Sequence, residues 1–340
     1  MPEKAGNVSS ASVSTGAATV NGPEYLSDVS PKHKPWDKHR SEADEVEKIY
    51  AGSRFSRHHR YAQRVEQCSQ VLQFARDPPK KSGKQKLTLK GAWFCRVRQC
   101  PVCQWRRSLM WQAKVYRALP QLVRDYPDIR FLFITLTVKN CLVENLRVTL
   151  KLLAQGWQRM SQLAIWPALG WVRAVEITRG RDGSAHPHYH ALLMVPPTYF
   201  QADYLKQSEW AWLWQECLRV NYRPVIDVRT VKADYNPRWR ENPTAPYKIW
   251  GAIAEILKYT VKVSDMTRDH DWFLGVVDQV HKMRSVAVGG ILKKYIKDRE
   301  KERLTDEPGE EPPAETNERV FFGWKQEVRR YKKVNGLSAR

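Results

Sequence analysis

The stretch HPHYHALLMV, residues 186–195, places three histidines at alternate positions of an otherwise apolar segment. Alternate side chains of a β-strand point to the same face of a sheet. His188 and His190 are therefore expected to project side by side toward one site, while Tyr189 between them packs on the opposite face. Two neutral imidazoles in this arrangement suit a divalent cation, and His186, at the beginning of the strand, is the weaker candidate for a further ligand.

A predicted β-hairpin brings a carboxylate to the same face. WVRAVEIT (171–178) predicts a strand, and the turn-rich RGRDGSA (179–185) joins it to the histidine strand. Glu176 can share the histidine face across this hairpin and is the candidate third ligand. Such a ligand set leaves coordination positions open for phosphate oxygens and water, and it suits Mg²⁺ or Mn²⁺. The alternative is that these histidines only pair with polar groups in a half-buried sheet.

The segments around the hairpin predict a mixed fold. IRFLFITLTVKN (129–140) is rich in β-branched and aromatic residues and predicts a central strand, and PVIDVRTVKA (224–233) predicts another. Apolar residues at three- and four-residue spacings predict a helix between residues 142 and 160 and another over residues 248–263. Neighbouring strands with intervening helices indicate an α+β fold built on an antiparallel sheet.

The charge of the chain indicates a polyanionic partner. The 340 residues carry a formal net charge of +21 and a sequence pI of about 9.8. Lysines and arginines neutralise phosphates and release condensed counterions, so nucleic acid is the leading expectation. The chain has no apolar run of about 18 residues, which argues against a membrane span. It also lacks the charged-then-apolar order of a secretory signal, so a cytoplasmic location is expected.

Composition divides the chain into five regions. Residues 1–45 are rich in Ser, Ala, Gly and charge and predict a disordered tail. Residues 46–125 hold a Cys-rich and helical region, and 126–298 hold the α+β body with the histidine strand. Residues 299–318 are charged and Pro-bearing and predict a linker, and 319–340 are expected to form a basic aromatic tail that docks on the body or on DNA.

A tyrosine follows the histidine strand by about seventy residues, in GAIAEILKYTVKVSD (251–265). At 100° per residue, Glu255, Tyr259 and Lys262 fall on one face of a predicted helix, with Lys258 at its border. A tyrosine so placed can attack a phosphodiester, assisted by the lysine or a metal, and the glutamate can activate water for a second cleavage. The alternative is an amphipathic surface helix with solvated polar residues.

Three closely spaced cysteines predict a structural zinc site. Cys95, Cys100 and Cys103 lie within nine residues and include a CxxC knuckle. A tetrahedral site needs a fourth ligand, for which Cys68 is the first candidate and His58 or His59 the next. The alternative is a group of buried thiols beside a strand.

Basic residues next to these motifs are candidates for DNA contacts. A zinc site would hold four neighbouring arginines in place for phosphates. RWRENPTAPYKIW (238–250) interleaves cations with aromatic rings, a pattern that suits stacked bases of single-stranded DNA, although such rings also fill cores. The predicted DNA-binding residues are Arg96, Arg98, Arg106, Arg107, Arg238, Arg240 and Lys258.

Four motifs in order resemble a known family. FLFITLTVKN (131–140), HPHYHALL (186–193) and EILKYTVK (255–262), with CRVRQCPVCQWRRSLMW (95–111) upstream, look like the HUH-endonuclease initiators of rolling-circle plasmid replication. The branch they resemble carries a single tyrosine with a glutamate one helical turn before it. The likeness covers about residues 60 to 290.

This resemblance implies an antiparallel sheet of about five strands flanked by helices. It also implies a metal held by His188 and His190 and a site-specific nickase that cuts one strand of the plasmid double-strand origin. Tyr259 would stay bound to the 5′-phosphate, and Glu255 would end the round by hydrolysis. The implied partners are origin DNA, single-stranded DNA, and a host helicase and polymerase.

Other functions fit part of the pattern. A conjugative relaxase shares the chemistry but usually carries its histidines after the tyrosine, and a single-tyrosine transposase is typically shorter and needs no cysteine segment. A non-catalytic, zinc-containing DNA-binding regulator would use the basic surface, but it leaves the alignment of His188, His190 and Tyr259 without explanation.

Overall fold

A computed structural model describes residues 24–77, 86–201, 203–231, 249–258, 260–297, 301–310 and 318–334, without the side chain of Trp250. The helices in this part of the chain are α1 (Leu26–Val29), α2 (Pro35–Ala51), α3 (Ser56–Gln67), α4 (Pro101–Asp125), α5 (Leu146–Met160), α6 (Gln207–Leu218), α7 (Ile249–Ile256), α8 (Val263–Arg268) and α9 (His270–Gln279). The strands are β1 (Val71–Arg76), β2 (Leu87–Ala92), β3 (Arg130–Thr137), β4 (Gly170–Arg179), β5 (Ala185–Val195), β6 (Ile226–Val231), β7 (Val286–Gly290), β8 (Glu318–Lys325) and β9 (Arg330–Val334).

A five-stranded antiparallel sheet forms the centre of the fold, in the order β6-β3-β5-β4-β7. The predicted α+β class with about five antiparallel strands is confirmed. The histidine strand β5 lies in the middle, and ten of its eleven residues are buried. One face of the sheet packs against α5, α6 and α9, and the other against α7 and the C-terminal half of α4. The alternation of β5 therefore directs its histidines to the face that α7 covers.

A second, four-stranded sheet in the order β2-β1-β8-β9 was not predicted. The expected basic aromatic tail supplies half of it, because β8 pairs with β1 at six positions, from Glu318 to Gly323, and with β9 at five positions, from Phe321 to Lys325. Phe322 and Tyr331 are fully buried. Residues 319–334 therefore dock on the body, one of the two positions expected for this tail, because the alternating apolar residues of the hairpin face the core.

The predicted disordered tail is also wrong for residues 24–45, which form α1, a 3₁₀ turn and most of α2. Trp36, Ala43 and Tyr50 are fully buried and lie on one stripe of α2. Arg40 stands in the same stripe, and its guanidinium donates hydrogen bonds to the carbonyls of Val65 and Cys68. An arginine at a core position interrupts the apolar period, and for this reason no helix was predicted here.

Part of the expected charged linker packs on the body. Leu304 is buried, and Glu307 accepts a hydrogen bond from Arg106 at 2.6 Å. Residues 301–310 therefore line the surface of α4 rather than leaving it, because their acidic side chains neutralise its arginines.

The helix predicted over residues 248–263 ends at Ile256. The carbonyl of Thr260 accepts a hydrogen bond from the amide of Ile177, and Val261 forms a parallel bridge to the same residue. Pairing with β4 replaces helical hydrogen bonding at this point. Lys262 precedes α8 and does not share a helical face with Glu255, so that part of the prediction is wrong. No helix in the described part of the chain is long and apolar enough to cross a membrane.

Candidate functional site

The hairpin of β4 and β5 brings Glu176 beside the two histidines. Glu176 is directly opposite His188 in the register, and Ala174 is opposite His190. Because side chains alternate along each strand, Glu176, His188 and His190 share one face. All three are almost completely buried, with 3%, 7% and 9% of their surfaces exposed. The sequence pattern therefore predicted this group.

Three potential ligand atoms converge on one point. Glu176 Oε2 lies 3.0 Å from His190 Nε2 and 3.5 Å from His188 Nε2. The ligand atoms of the three residues all lie within 4.8 Å of one another. Two imidazole nitrogens and one carboxylate oxygen at this spacing suit a divalent cation with open coordination positions.

The outer nitrogens of both histidines have partners that orient the rings. His188 Nδ1 donates to the carbonyl of His186 at 3.2 Å, so Nε2 is the nitrogen of the neutral imidazole that can bear a metal. His190 Nδ1 lies 3.0 Å from Thr135 Oγ1 on β3. These contacts give the donor set that a metal site requires. His186 itself turns toward Asn140, at 2.6 Å, and lies outside the converging group.

Lys258 links this group to α7. Its Nζ lies 3.2 Å from Glu176 Oε2 and 2.5 Å from Glu255 Oε1. Burial raises the pKa of Glu176, but hydrogen bonds from His188 and His190 and the charge of Lys258 outweigh it, so that the pKa is lowered. The carboxylate is therefore ionised and able to accept a cation. The sequence assigned this lysine to DNA and Lys262 to chemistry, whereas Lys258 is the one that contacts the group.

The predicted nucleophile Tyr259 lies outside the described residues, but both of its neighbours are described. The side-chain oxygen of Gln104 accepts hydrogen bonds from the backbone amides of Thr260, at 3.2 Å, and Val261, at 3.4 Å. Together with Lys258, these contacts fix the chain on each side of the tyrosine. Gln104 was not predicted, because nothing in its local sequence separates it from any other polar helix residue. Arg238 and Arg240 also lie outside the described residues.

The four cysteines predicted to bind zinc form a single buried group. The Sγ atoms of Cys68 and Cys103, of Cys95 and Cys103, and of Cys68 and Cys100 are 3.7, 3.6 and 3.8 Å apart. A tetrahedral site with Zn–S bonds of 2.3 Å has sulfur atoms about 3.8 Å apart. The cysteines therefore fit a structural zinc ion, and Cys68, the first candidate, is the fourth member rather than His58 or His59.

Backbone amides around the cysteines point at their sulfur atoms. The amides of Cys95, Arg96 and Val97 lie 3.5, 3.3 and 3.4 Å from the sulfurs of Cys68, Cys103 and Cys95, respectively. Such donors stabilise thiolates. Burial raises the pKa of Cys100 well above its usual value, so four neighbouring thiolates need a cation to balance them. All four ligand positions belong to the protein, and this site has a structural character.

The arginines beside the cysteines divide into two groups. Arg106 is fully buried, donates to the carbonyl of Leu304 and pairs with Glu307, so the prediction that it contacts DNA is wrong. Arg96 and Arg107 pair with Glu302 at 3.6 and 3.0 Å. Arg96, Arg98 and Arg107 line a cavity that also reaches Lys258.

Comparison with known proteins agrees with this site. Residues 86–332 match the family model described as "Replication protein". A "Protein rep" of Lentilactobacillus hilgardii is 32% identical over 286 residues, 81% of this chain and 86% of that protein. A "Protein rep" of Lactiplantibacillus plantarum is 35% identical over 278 residues, 78% of this chain and 82% of that protein. A "Replication protein" of Staphylococcus aureus is 31% identical, covering 63% of this chain and 95% of its own length.

No solved structure matches the chain. The family match spans three of the four cysteines, the histidine hairpin, the segment of the tyrosine and all but the last two residues of the C-terminal hairpin. By the extent of this match and the coverage of its relatives, the chain belongs to the replication-protein (Rep) family.

Proposed function

We propose that the protein initiates rolling-circle replication of a plasmid by nicking one strand of the double-strand origin. The observation that carries the proposal is the convergence of Glu176, His188 and His190 beside the segment that holds Tyr259. Membership of the Rep family supports replication as the process. The order of the motifs, with the histidines before the tyrosine, favours an initiator over a relaxase.

In the proposed nicking step, the phenolic oxygen of Tyr259 attacks the scissile phosphorus. A bond forms between that oxygen and phosphorus, and the bond from phosphorus to the 3′-oxygen breaks. The phenolic proton leaves, the departing 3′-oxygen takes up a proton, and the 5′-phosphate remains on the tyrosine. Hydrogen bonds from the amides of Thr260 and Val261 to Gln104 hold the backbone that follows the tyrosine.

Glu176, His188 and His190 would hold a divalent cation, Mg²⁺ or Mn²⁺. When bound, the cation supplies Lewis-acid polarisation of the scissile phosphate. The protein contributes the ionised carboxylate of Glu176 and the Nε2 lone pair of His188, whose tautomer the carbonyl of His186 fixes. It also contributes the positive charge of Lys258 at 3.2 Å from Glu176, close to where phosphate charge would lie.

Termination is assigned to Glu255, which is half exposed on the last turn of α7 and pairs with Lys258. In this step the carboxylate takes a proton from water, and the water oxygen attacks phosphorus. The bond from phosphorus to the tyrosine oxygen breaks, and the phenol is reprotonated. An exposed carboxylate is suited to this role because water reaches it without a conformational change.

The test uses single-stranded oligonucleotides that tile the parent plasmid's origin, incubated with the protein and Mn²⁺ or Mg²⁺. We expect a metal-dependent adduct of DNA and protein on a denaturing gel, with the mass of the protein plus the 5′-phosphorylated fragment. Tyr259→Phe should abolish the adduct. The exposed Tyr204, substituted in the same way, is the matched control and should leave adduct formation unchanged.

Two outcomes would contradict the proposal. Binding of origin DNA without cutting under any metal would indicate the regulator instead. An adduct that persists in Tyr259→Phe would move the nucleophile to another residue. For Glu255→Gln, we expect the adduct to form at the normal rate and to accumulate, because its hydrolysis is lost.

A further inference from the structure

Helix α3 exposes one polar face to solvent. The exposed residues of this face are Ser56, His59, Arg60, Gln63, Arg64 and Gln67. At 100° per residue, Arg60, Gln63 and Gln67 fall within an arc of about 60° at its centre. His58 and Val65 are fully buried on the opposite side of the helix. The helix therefore packs on the body with one face and presents guanidinium and amide groups on the other.

The exposed face of α3 carries positive charge. Four arginines and no acidic residue occur between residues 52 and 65. Glu66, the next acid, lies about 90° around the helix from the centre of the face. Opposite charges three or four residues apart stabilise a surface helix, but none of the basic residues of α3 has an acidic partner at that spacing. A face of this charge attracts a polyanion.

The C-terminal end of α3 is held by a buried cation. The guanidinium of Arg40, which is 1% exposed, donates to the carbonyls of Val65, Glu66 and Cys68 at 2.8, 2.9 and 3.0 Å. These are carbonyls at the end of a helix, where the helix itself supplies no donors. Cys68 directly follows the helix and belongs to the cysteine group. The last turn of α3 is therefore fixed to the interior.

The N-terminal end of α3 is held by a histidine. His58 Nδ1 lies 2.7 Å from Ser53 Oγ, and its Nε2 lies 2.8 Å from Asp278 Oδ1 on α9. Arg57 pairs with the same carboxylate. The backbone of α3 is thus anchored at both ends, whereas the side chains of its outer face extend into solvent. Side chains on a rigid element make more precise contacts than side chains on a loop.

We propose that α3 enters the major groove of duplex DNA, with Arg60 and Gln63 as the residues that determine which sequence is recognised. The inference rests on the proposed function for the identity of that duplex as the origin. The major groove is about 12 Å wide and admits one α-helix. Arginine can donate two hydrogen bonds to O6 and N7 of guanine, and glutamine can pair with N6 and N7 of adenine. Arg60 and Gln63, three residues apart, are placed to contact neighbouring base pairs.

The cysteine group gains a second role in this arrangement. Cys68 ends the proposed recognition helix, and Cys103 precedes Gln104, which accepts the amides of Thr260 and Val261. A zinc ion held by the cysteines would therefore fix the recognition helix and the tyrosine segment to one scaffold. The distance along the DNA between the sequence that is read and the phosphate that is cut would then be set by the fold.

The experiment measures binding of fluorescent duplex oligonucleotides that tile the parent plasmid's origin, by anisotropy and without added divalent cation. A scrambled duplex of the same composition gives the non-specific affinity. Gln63→Ala changes no charge, and we expect it to weaken binding of the origin duplex about tenfold and of the scrambled duplex less than twofold. Arg60→Ala should weaken binding of the origin duplex about 20-fold and of the scrambled duplex about threefold, because it also removes a charge.

A scan with 7-deazapurines tests the groove directly, because these bases lack the N7 acceptor of the major groove. At one purine, we expect the substitution to weaken binding by the parent about fivefold and to have no further effect on Gln63→Ala. A second purine should behave in the same way toward Arg60→Ala. Contacts in the minor groove or to phosphates alone would give no such position.

Gln121→Ala and Arg124→Ala are the matched controls, because they remove an exposed glutamine and an exposed arginine three residues apart on α4. Each should change the affinity for the origin duplex less than twofold. All four variants should keep the unfolding temperature of the parent, since alanine is the strongest helix former.

Three results would overturn the proposal. They are affinities of Arg60→Ala and Gln63→Ala for the origin duplex within twofold of the parent, equal losses on the origin and scrambled duplexes, and a parent that binds the two duplexes equally. The assay needs no cleavage, so its result is independent of the nicking reaction. Specific duplex binding through α3 in a protein that never forms the adduct would refute only the proposed nicking.

Discussion

Gln104 joins the cysteine group to the segment of the proposed nucleophile: its side-chain oxygen accepts the backbone amides of Thr260 and Val261 at 3.2 and 3.4 Å. Gln104 directly follows Cys103 on α4, and Thr260 directly follows Tyr259. The candidate zinc site is thereby connected to the segment of the proposed nucleophile through a single side chain. The cysteine group and the group of Glu176, His188 and His190 share no ligand.

Substitution of Gln104 by Leu should slow nicking by about 10- to 100-fold, because loss of the acceptor lets the tyrosine segment shift by a fraction of its length. The zinc content should stay at one per chain. Single-turnover rates and elemental analysis measure the two quantities. Gln112→Leu on the same helix is the control, since the Gln112 side chain donates its hydrogen bond to Ser108 of the same helix. Equal rates for both variants would remove the positioning role.

The cysteine group should hold one zinc ion per chain. Cys68→Ser should lose the zinc ion, because only three ligands remain. Residues 60–110 should then unfold, because the buried cysteines are left without a metal to hold them together. Nicking should fall only as far as the folded fraction falls. Elemental analysis and hydrogen exchange of this region measure the effect. Cys141→Ser should retain zinc, because Cys141 lies outside the group. Absence of zinc in freshly purified protein would contradict the assignment.

Substitution of Lys258 and of Lys262, the two lysines near the tyrosine, should have different effects on the rate of nicking. Lys258→Gln should slow nicking by about 10- to 100-fold, because a charge beside Glu176 and the scissile phosphate is lost. Lys262→Gln should stay within about twofold of the parent, since Lys262 begins α8 and lies off the face of α7. Single-turnover nicking rates at saturating DNA measure both. A larger loss of nicking rate for Lys262→Gln than for Lys258→Gln would favour a continuous helix through Lys262.

The N-terminal segment should make stability depend on pH through His33. Burial lowers the pKa of His33 to about 4, and its Nε2 donates to the carbonyl of Leu87. Between pH 6.5 and 4 the unfolded chain binds a proton at His33 that the folded chain does not, so the free energy of unfolding falls with falling pH by roughly 3 kcal/mol in total. His33→Gln should remove this component.

The measurement for His33 is denaturant unfolding of both proteins between pH 4 and 8. The difference in the free energy of unfolding between the parent and His33→Gln should shrink steadily below pH 6.5. Zinc release contributes equally to both proteins and cancels in this difference. A difference that is constant with pH would mean that His33 is accessible to protons in the folded protein and that the segment is not packed as described.

The sequence predicted the features that repeat locally. The alternation of β5 and the turn before it defined the hairpin, its register and the three residues that converge on one point, because period-two patterning leaves no other arrangement with a buried face. The CxxC spacing located the cysteine group. Cys68 was the first candidate for the fourth ligand, ahead of His58 and His59, although 26 residues separate it from Cys95.

The features that the sequence missed depend on distant pairing. The second sheet joins β1 to strands more than 240 residues later, and short strands with charged residues carry no local signal of a partner. Helix α2 was not predicted because Arg40 occupies a core position and interrupts its apolar pattern. The cavity beside Lys258 has lining residues from Tyr61 to Glu302, and nothing in any one segment shows that they meet.

The pairing of β1 with β8 has a consequence for synthesis. While the chain is being made, β1 lacks one of its two neighbours until the ribosome has passed residue 325, and Phe322, fully buried in the finished protein, has yet to arrive. A chain that stops before residue 318 cannot complete the sheet next to the cysteine group. Premature termination should therefore yield fragments that proteases remove, and the complete fold is assembled only from chains translated nearly to the end.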